Sequence, residues 1–147
     1  MPKEGLPGVG MKFPPQINRA TGRFVTSSYE ESVKESVYLI LMTQRSERFL
    51  RPDFGTNLMS YTFMDINATT VSMMIRSLRE QITKQEPRVS NVQITTDSEV
   101  RDGCLMIEID YVIRDNNTSD SLVFPFYLEE SAEEEAYEPE QYEEELE

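Results

Sequence analysis

The sequence predicts an α+β domain: two main amphipathic helices packed on a small antiparallel three-stranded meander, with an extended N-terminal arm and an acidic C-terminal tail. Three observations predict it. Apolar residues recur at helical spacing in two segments before Pro87. From Val92 onward the period switches to two. Short turn sequences, Asp102-Gly103 and Asp115-Asn116-Asn117, separate the alternating runs, and such turns join consecutive antiparallel strands.

The elements follow in chain order. The arm, residues 1–26, carries Pro2, Pro7, Pro14 and Pro15 among Gly5, Gly8, Gly10 and Gly22, which forbids a long helix and favours extended backbone. Within it Ile17 and Phe24 flank Asn18-Arg19-Ala20-Thr21-Gly22, a hairpin or tight turn. The folded domain is expected over 27–128. Ser28-Tyr29-Glu30-Glu31 fits a capping box, and Val33, Val37, Ile40 and Leu41 then form one apolar face that ends near Thr43. A second helix is expected over 67–85, with Val71, Met74, Ile75, Leu78 and Ile82 on its stripe. Pro87 stops it, because the residue before a proline is pushed out of the helical region. Val92-Ile94-Thr96, then Leu105 to Ile113, then Leu122 to Leu128 give the strands. Pro125 lacks a ladder N–H, so the last strand is expected at an edge. The expected core is Val37, Ile40, Leu41, Val71, Ile75, Leu78, Ile82, Leu105, Ile107, Ile109 and Phe124.

Composition removes several classes of function. The chain has 14 basic and 27 acidic residues in 147, a formal charge of −13. Residues 129–147 hold 11 Glu and no Lys or Arg, so the rest of the chain, with 16 acids against 14 bases, is nearly neutral. A neutral body without a basic stripe argues against nucleic-acid binding, which depends on neutralising phosphates. The tail is too charged and too poor in apolar surface to pack by itself. No apolar run has the length of a membrane span, and Met1 to Gly5 is too polar for a signal peptide, so a soluble intracellular protein is expected. One cysteine, Cys104, excludes an internal disulfide framework. With no His, the usual zinc, haem and Ser-His-Asp chemistries are absent as well.

Carboxylates are then the only catalytic raw material: Glu47, Asp53, Glu86, Glu108 and Asp110. Glu108 and Asp110 share a strand face about 7 Å apart, a spacing a glycosidase could use, but the wet face of a half-buried strand accounts for them more simply. Cys104 has no base partner and reads as a small strand residue. Gly8-Val9-Gly10 lacks the strand–helix context of a phosphate loop. Met73 and Met74 read as core filling on or beside the helical stripe.

Two segments resist a scaffold reading. Thr43 to Gly55 (TQRSERFLRPDFG) is dense in Arg and acid, and Glu86-Pro87-Arg88 turns the chain from helix to sheet. Pro87 fixes the backbone so that Glu86 and Arg88 project in set directions, and Arg offers a planar fork to carboxylates or carbonyls. Arg51-Pro52-Asp53-Phe54-Gly55 followed some thirty residues later by Glu-Pro-Arg resembles the baseplate wedge and sheath-initiator family of contractile phage tails, type VI secretion baseplates, tailocins and extracellular contractile injection systems. The resemblance runs from about Phe13 to Leu128 through Gly22, Thr43, Glu47-Arg48, Pro52-Asp53-Phe54-Gly55 and Glu86-Pro87-Arg88. Ser46 departs from the family pattern, which places Gly before the Glu-Arg pair, and the acidic tail is outside it.

The resemblance implies structural work without catalysis, cofactor or metal. Its partner-binding residues would be Glu86, Pro87, Arg88, Glu47, Arg48, Arg51 and Asp53. Implied partners are baseplate wedge proteins, the first ring of sheath protein and central hub or spike proteins, in a sixfold assembly with no nucleic acid and no membrane. The corner would clamp the wedge core bundle, and the sheet would offer an edge for strand addition to nucleate the sheath. The protein would reside in the bacterial cytoplasm during assembly and then in the particle. Arg88→Ala is expected to leave the isolated domain folded and to block wedge assembly. Two alternatives stand beside this reading: a lysozyme-like peptidoglycan hydrolase, a label often given to this family, and a regulatory protein-binding module of the same fold.

Overall fold

The structure, a computed structural model, describes residues 9–128. The first eight residues of the arm and the acidic tail, 129–147, lie outside the described residues. Helix α1 spans Tyr29–Met42, a 3-10 turn Leu58–Tyr61, helix α2 Ala68–Gln85, and strands β1 Val89–Thr96, β2 Cys104–Ile113 and β3 Thr118–Tyr127. The fold is the expected α+β arrangement, with an antiparallel sheet ordered β1-β2-β3.

Local chemistry sets the boundaries. The Ser28 side chain accepts from the Glu31 amide while Glu31 accepts from the Ser28 amide, so the capping box is closed and α1 starts where the sequence says. Asn67 caps α2 through the Thr70 amide. Asp102 and Gly103 both take positive φ, 51° and 68°, as a two-residue hairpin of mirror-image type requires, and Arg101 and Cys104 exchange backbone bonds across it.

The strands place Leu105, Ile107, Ile109, Tyr111 and Ile113 of β2 and Phe124 and Phe126 of β3 on the covered face. β1 departs from simple alternation. Its register shifts between Ser90 and Gln93, with Asn91 at φ 50°, so Val89 joins Val92 and Ile94 in the core. The bulge extends β1 three residues upstream of Val92 and roots it directly on Arg88.

The helices cover the sheet through Val33, Val37, Ile40 and Leu41 of α1 and Met74, Leu78 and Ile82 of α2, with Leu58 between. Nine of the eleven expected core residues are buried. Val71 and Ile75 are only partly so, because the stripe of α2 that faces the sheet is centred one residue over, on Met74. Met73 stands exposed beside it.

The described part of the arm folds on itself. Met11 pairs with Thr26 and Ile17 with Phe24, around a turn at Asn18–Gly22 in which Gly22 takes φ 66°. Its base is fixed by Ser27 N–H donating to the Gly10 carbonyl and by Phe13 against Tyr38 of α1.

Candidate functional site

The Glu86-Pro87-Arg88 corner sits where α2 ends and β1 begins. Glu86 is only 3% exposed. Its carboxylate accepts from Arg88 Nε at 2.7 Å, from Arg88 Nη2 at 2.8 Å and from the Arg88 backbone amide at 3.2 Å. This two-pronged fork between residues two apart is possible because Pro87 folds the chain back on itself. Burial pushes the Glu86 carboxyl pKa up, but hydrogen bonds from the Arg88 side chain, the Ser36 hydroxyl and the Arg88 amide, with the Arg88 charge, outweigh it. The pKa is lowered from the usual value. The Arg88 pKa is raised by its hydrogen bonds to Glu86, against the effect of its own burial.

Contacts to Tyr29, Asp115 and Arg114 tie the corner to both neighbouring elements. The Arg88 guanidinium lies 5.7 Å from the Tyr29 ring centre at the start of α1. Tyr29 donates its hydroxyl to Asp115 at 2.6 Å, which raises the phenol pKa, with burial adding to it. Arg114 donates its amide to the Arg88 carbonyl and its Nε to the Val89 carbonyl. The corner is therefore a preformed, largely self-satisfied ion pair whose guanidinium keeps one side open to water, at 29% side-chain exposure against 4% for Glu86.

The Arg-rich segment 43–56 is a loop closed at its neck. Arg45 N–H donates to the Thr56 carbonyl and Thr56 N–H to the Thr43 carbonyl. Gly55 takes φ 105°, and a Cβ there would stand 2.1 Å from the Thr43 carbonyl oxygen, so only glycine lets the neck close. Within the loop Glu47 accepts from the Gln44 amide at 3.0 Å, and the Arg48 guanidinium lies 4.6 Å over Phe54. Glu47 and Arg48 thus shape the loop, while Arg51 and Asp53 are exposed near Phe49 and Leu50, which are 96% and 88% exposed at the tip. Ser46 adopts φ 71°, the left-handed region, at the position where the family pattern has Gly.

Corner and loop are joined by a residue that sequence reasoning missed. Gln85, the last residue of α2, accepts from the Gly55 amide and donates to the Gly55 carbonyl, both at 2.8 Å. The two motifs, thirty residues apart in sequence, are parts of one built surface. Tyr29, Ser36 and Asp115 were missed too. Adjacency of Gln85 to the Glu-Pro-Arg triplet was the one available signal; contacts across 86 residues, such as Tyr29 to Asp115, leave none.

The remaining acids lie elsewhere. Glu108 and Asp110 share the open face of the sheet, as their spacing predicts. Glu108 borders a shallow groove of about 310 Å³ with Asp97, Met106 and Val123. Among the described residues no cluster of His, Cys, Asp or Glu could hold a metal ion. None of the described helices is long and apolar enough to cross a membrane.

The family model described as baseplate wedge protein gp25 matches residues 27–118, which contain the corner, the loop and two of the three strands. The chain belongs to the gp25 baseplate wedge family. Its sequence is 26% identical over 85 residues to baseplate wedge protein gp25 of Enterobacteria phage T4, and that match covers 58% of this chain and 64% of the phage protein. A crystal structure from Geobacter sulfurreducens, provisionally named a tail lysozyme, is 42% identical, with a TM-score of 0.67 over 74% of this chain and 98% of that one. A component of the cryo-EM structure of the anti-feeding prophage baseplate, a sixfold-symmetrised map, shares the fold at 20% identity. Its TM-score is 0.55 over 85% of this chain and 89% of that one.

Proposed function

We propose that this gp25-family protein works as a clamp and a template in a contractile tail or injection machine. Several copies stand in a sixfold assembly. The Glu86-Pro87-Arg88 corner and the exposed Arg51, Asp53, Phe49 and Leu50 grip the wedge core bundle, while a free sheet edge takes a strand from the first sheath ring. The observation that carries this reading is the Gln85 clamp on Gly55, which ties the neck of the loop that bears the exposed apolar tip to the end of α2 beside the charged corner. Two apolar side chains left in water on a braced loop have the character of interface anchors.

The strand-addition half is supported by the sheet. Among the described residues no further strand pairs with β1 or β3. β1 is broken by its bulge, whereas β3 runs in regular register from Thr118 to Phe124 before Pro125 removes a donor. β3 is thus the better template. The test is co-purification with wedge proteins: Phe49→Ser/Leu50→Ser should fold as the parent does yet recover no wedge complex. Normal recovery would remove the loop from the interface.

The name of the Geobacter relative gives a hydrolase reading one observation in its favour. The chemistry of this chain supports it poorly, since the buried acid, Glu86, is held ionised by Arg88, the reverse of what a general acid needs. Purified protein should release peptidoglycan fragments no faster than its Glu47→Ala, Glu86→Ala and Glu108→Ala variants. A clear drop in any of them would overturn the structural reading.

A further inference from the structure

The hairpin at 11–26 has two properties that the clamp and template do not use. Every charged residue in 9–26 is basic: Lys12, Arg19 and Arg23. And Ile17 and Phe24, directly paired across its two strands and so on one side of it, are 62% and 58% exposed. Of the neighbouring charges on α1, Lys34 pairs with Asp120 at 3.3 Å and Glu35 accepts from the Ser27 hydroxyl at 2.6 Å. Glu31, held by the Ser28 cap, also feels the Lys12 charge, which leaves Arg19 and Arg23 as the cations further out on the ribbon. A two-stranded ribbon with a bare apolar pair is marginal by itself and gains from a cover.

The tail has the complementary composition: 11 Glu in residues 129–147, with Tyr137, Tyr142 and Leu146 among them. It also begins close by. Phe13 at the hairpin base lies 6.3 Å from Tyr38, and Tyr38 lies 6.0 Å from Phe124 of β3, ring centre to ring centre. Leu128, the last described residue, is four positions further along, roughly 13 Å of strand. The 19 residues beyond it can reach on the order of 60 Å when extended, about twice the roughly 25 Å that these steps span at most.

We infer that the acidic C-terminal segment 129–147 docks on the basic hairpin 11–26 of its own chain, its glutamates against Lys12, Arg19 and Arg23 and its spaced aromatics over Ile17 and Phe24. The tether makes the encounter intramolecular, so weak individual contacts suffice.

Paramagnetic labelling of the full chain tests this. A spin label is placed on Gln141→Cys in a Cys104→Ser background, and amide broadening is read along the chain. At about 0.01 M salt broadening should concentrate on Ile17–Phe24. It should fall several-fold at about 1 M, where the screening length shrinks from roughly 30 Å to roughly 3 Å. The Lys12→Gln/Arg19→Gln/Arg23→Gln variant, with only exposed or half-exposed charges changed, should show the same fall at low salt. Spin-labelled chains mixed with isotope-labelled, unmodified chains should show none. Broadening that is uniform, that settles on Arg45–Arg51, that survives the triple substitution, or that is equally strong in the mixed sample would overturn the proposal; the last outcome would assign the contact to a second copy.

Discussion

Arg88→Ala removes the only cation that, among the described residues, bonds to the Glu86 carboxylate, which is 3% exposed. Breaking a buried ion pair from one side costs about 3–5 kcal/mol, because the charge left behind has no water to return to. Two donors to Glu86 survive the substitution, the backbone amide of residue 88 and the Ser36 hydroxyl, which places the expected loss at about 3 kcal/mol. The substitution therefore weakens the fold as well as the surface, a cost the sequence alone did not reveal. Glu86→Gln should cost less, since the guanidinium it abandons is 29% exposed and can rehydrate.

Urea unfolding at pH 7 measures both. The pH dependence supplies an independent sign. In the parent, Glu86 has a folded-state pKa lowered below its ordinary 4.5, so its stabilisation is present above that pH and is lost as pH falls through the lowered value. In Arg88→Ala only the residue-88 amide and the Ser36 hydroxyl still oppose burial and the pKa rises relative to the parent, so acidification should narrow the gap between variant and parent. A loss under about 1 kcal/mol, a Glu86→Gln variant worse than Arg88→Ala, or a gap that widens in acid would refute the buried-pair account.

Other expectations follow from single contacts. Leu78→Ala, at a fully buried position on α2, should cost about 2–5 kcal/mol in the same assay. Gly55→Ala should destabilise by more than about 1 kcal/mol, since its φ and the Thr43 carbonyl both reject a Cβ, and limited proteolysis should then cut within 44–54. Gln85→Ala removes both bonds to Gly55 and should loosen the same loop, measured as faster amide exchange at Gly55 and Thr56, while β2 keeps its protection.

Much of the fold was legible because its signals are local and periodic. The capping box at Ser28, the alternation from Leu105 to Ile113 and the Asp102-Gly103 turn each state their conformation within a few residues. The start of β1 was not legible, since the bulge at Asn91 interrupts the period on which strand recognition rests. Val71 and Ile75 entered the expected core because an apolar stripe on α2 is wider than the face the sheet covers. At the site, the Glu86–Arg88 pair was within reach of sequence reasoning because Pro87 dictates it. The Gln85 bond to Gly55 was not, because a side chain gripping a distant backbone leaves no pattern in either segment. The exposure of Phe49 and Leu50 is set by the loop's path in the fold; in sequence they read equally well as loop anchors turned inward.

A side-chain-resolution reconstruction of the particle that carries this gp25-family protein decides whether, as proposed, it holds a wedge with its corner and loop and seeds a sheath with its sheet. Phe49, Leu50 and Arg88 should be buried against a wedge subunit, and a sheath strand should be hydrogen-bonded along Thr118–Phe124 of β3. A map in which that edge and the loop tip both face solvent would contradict it.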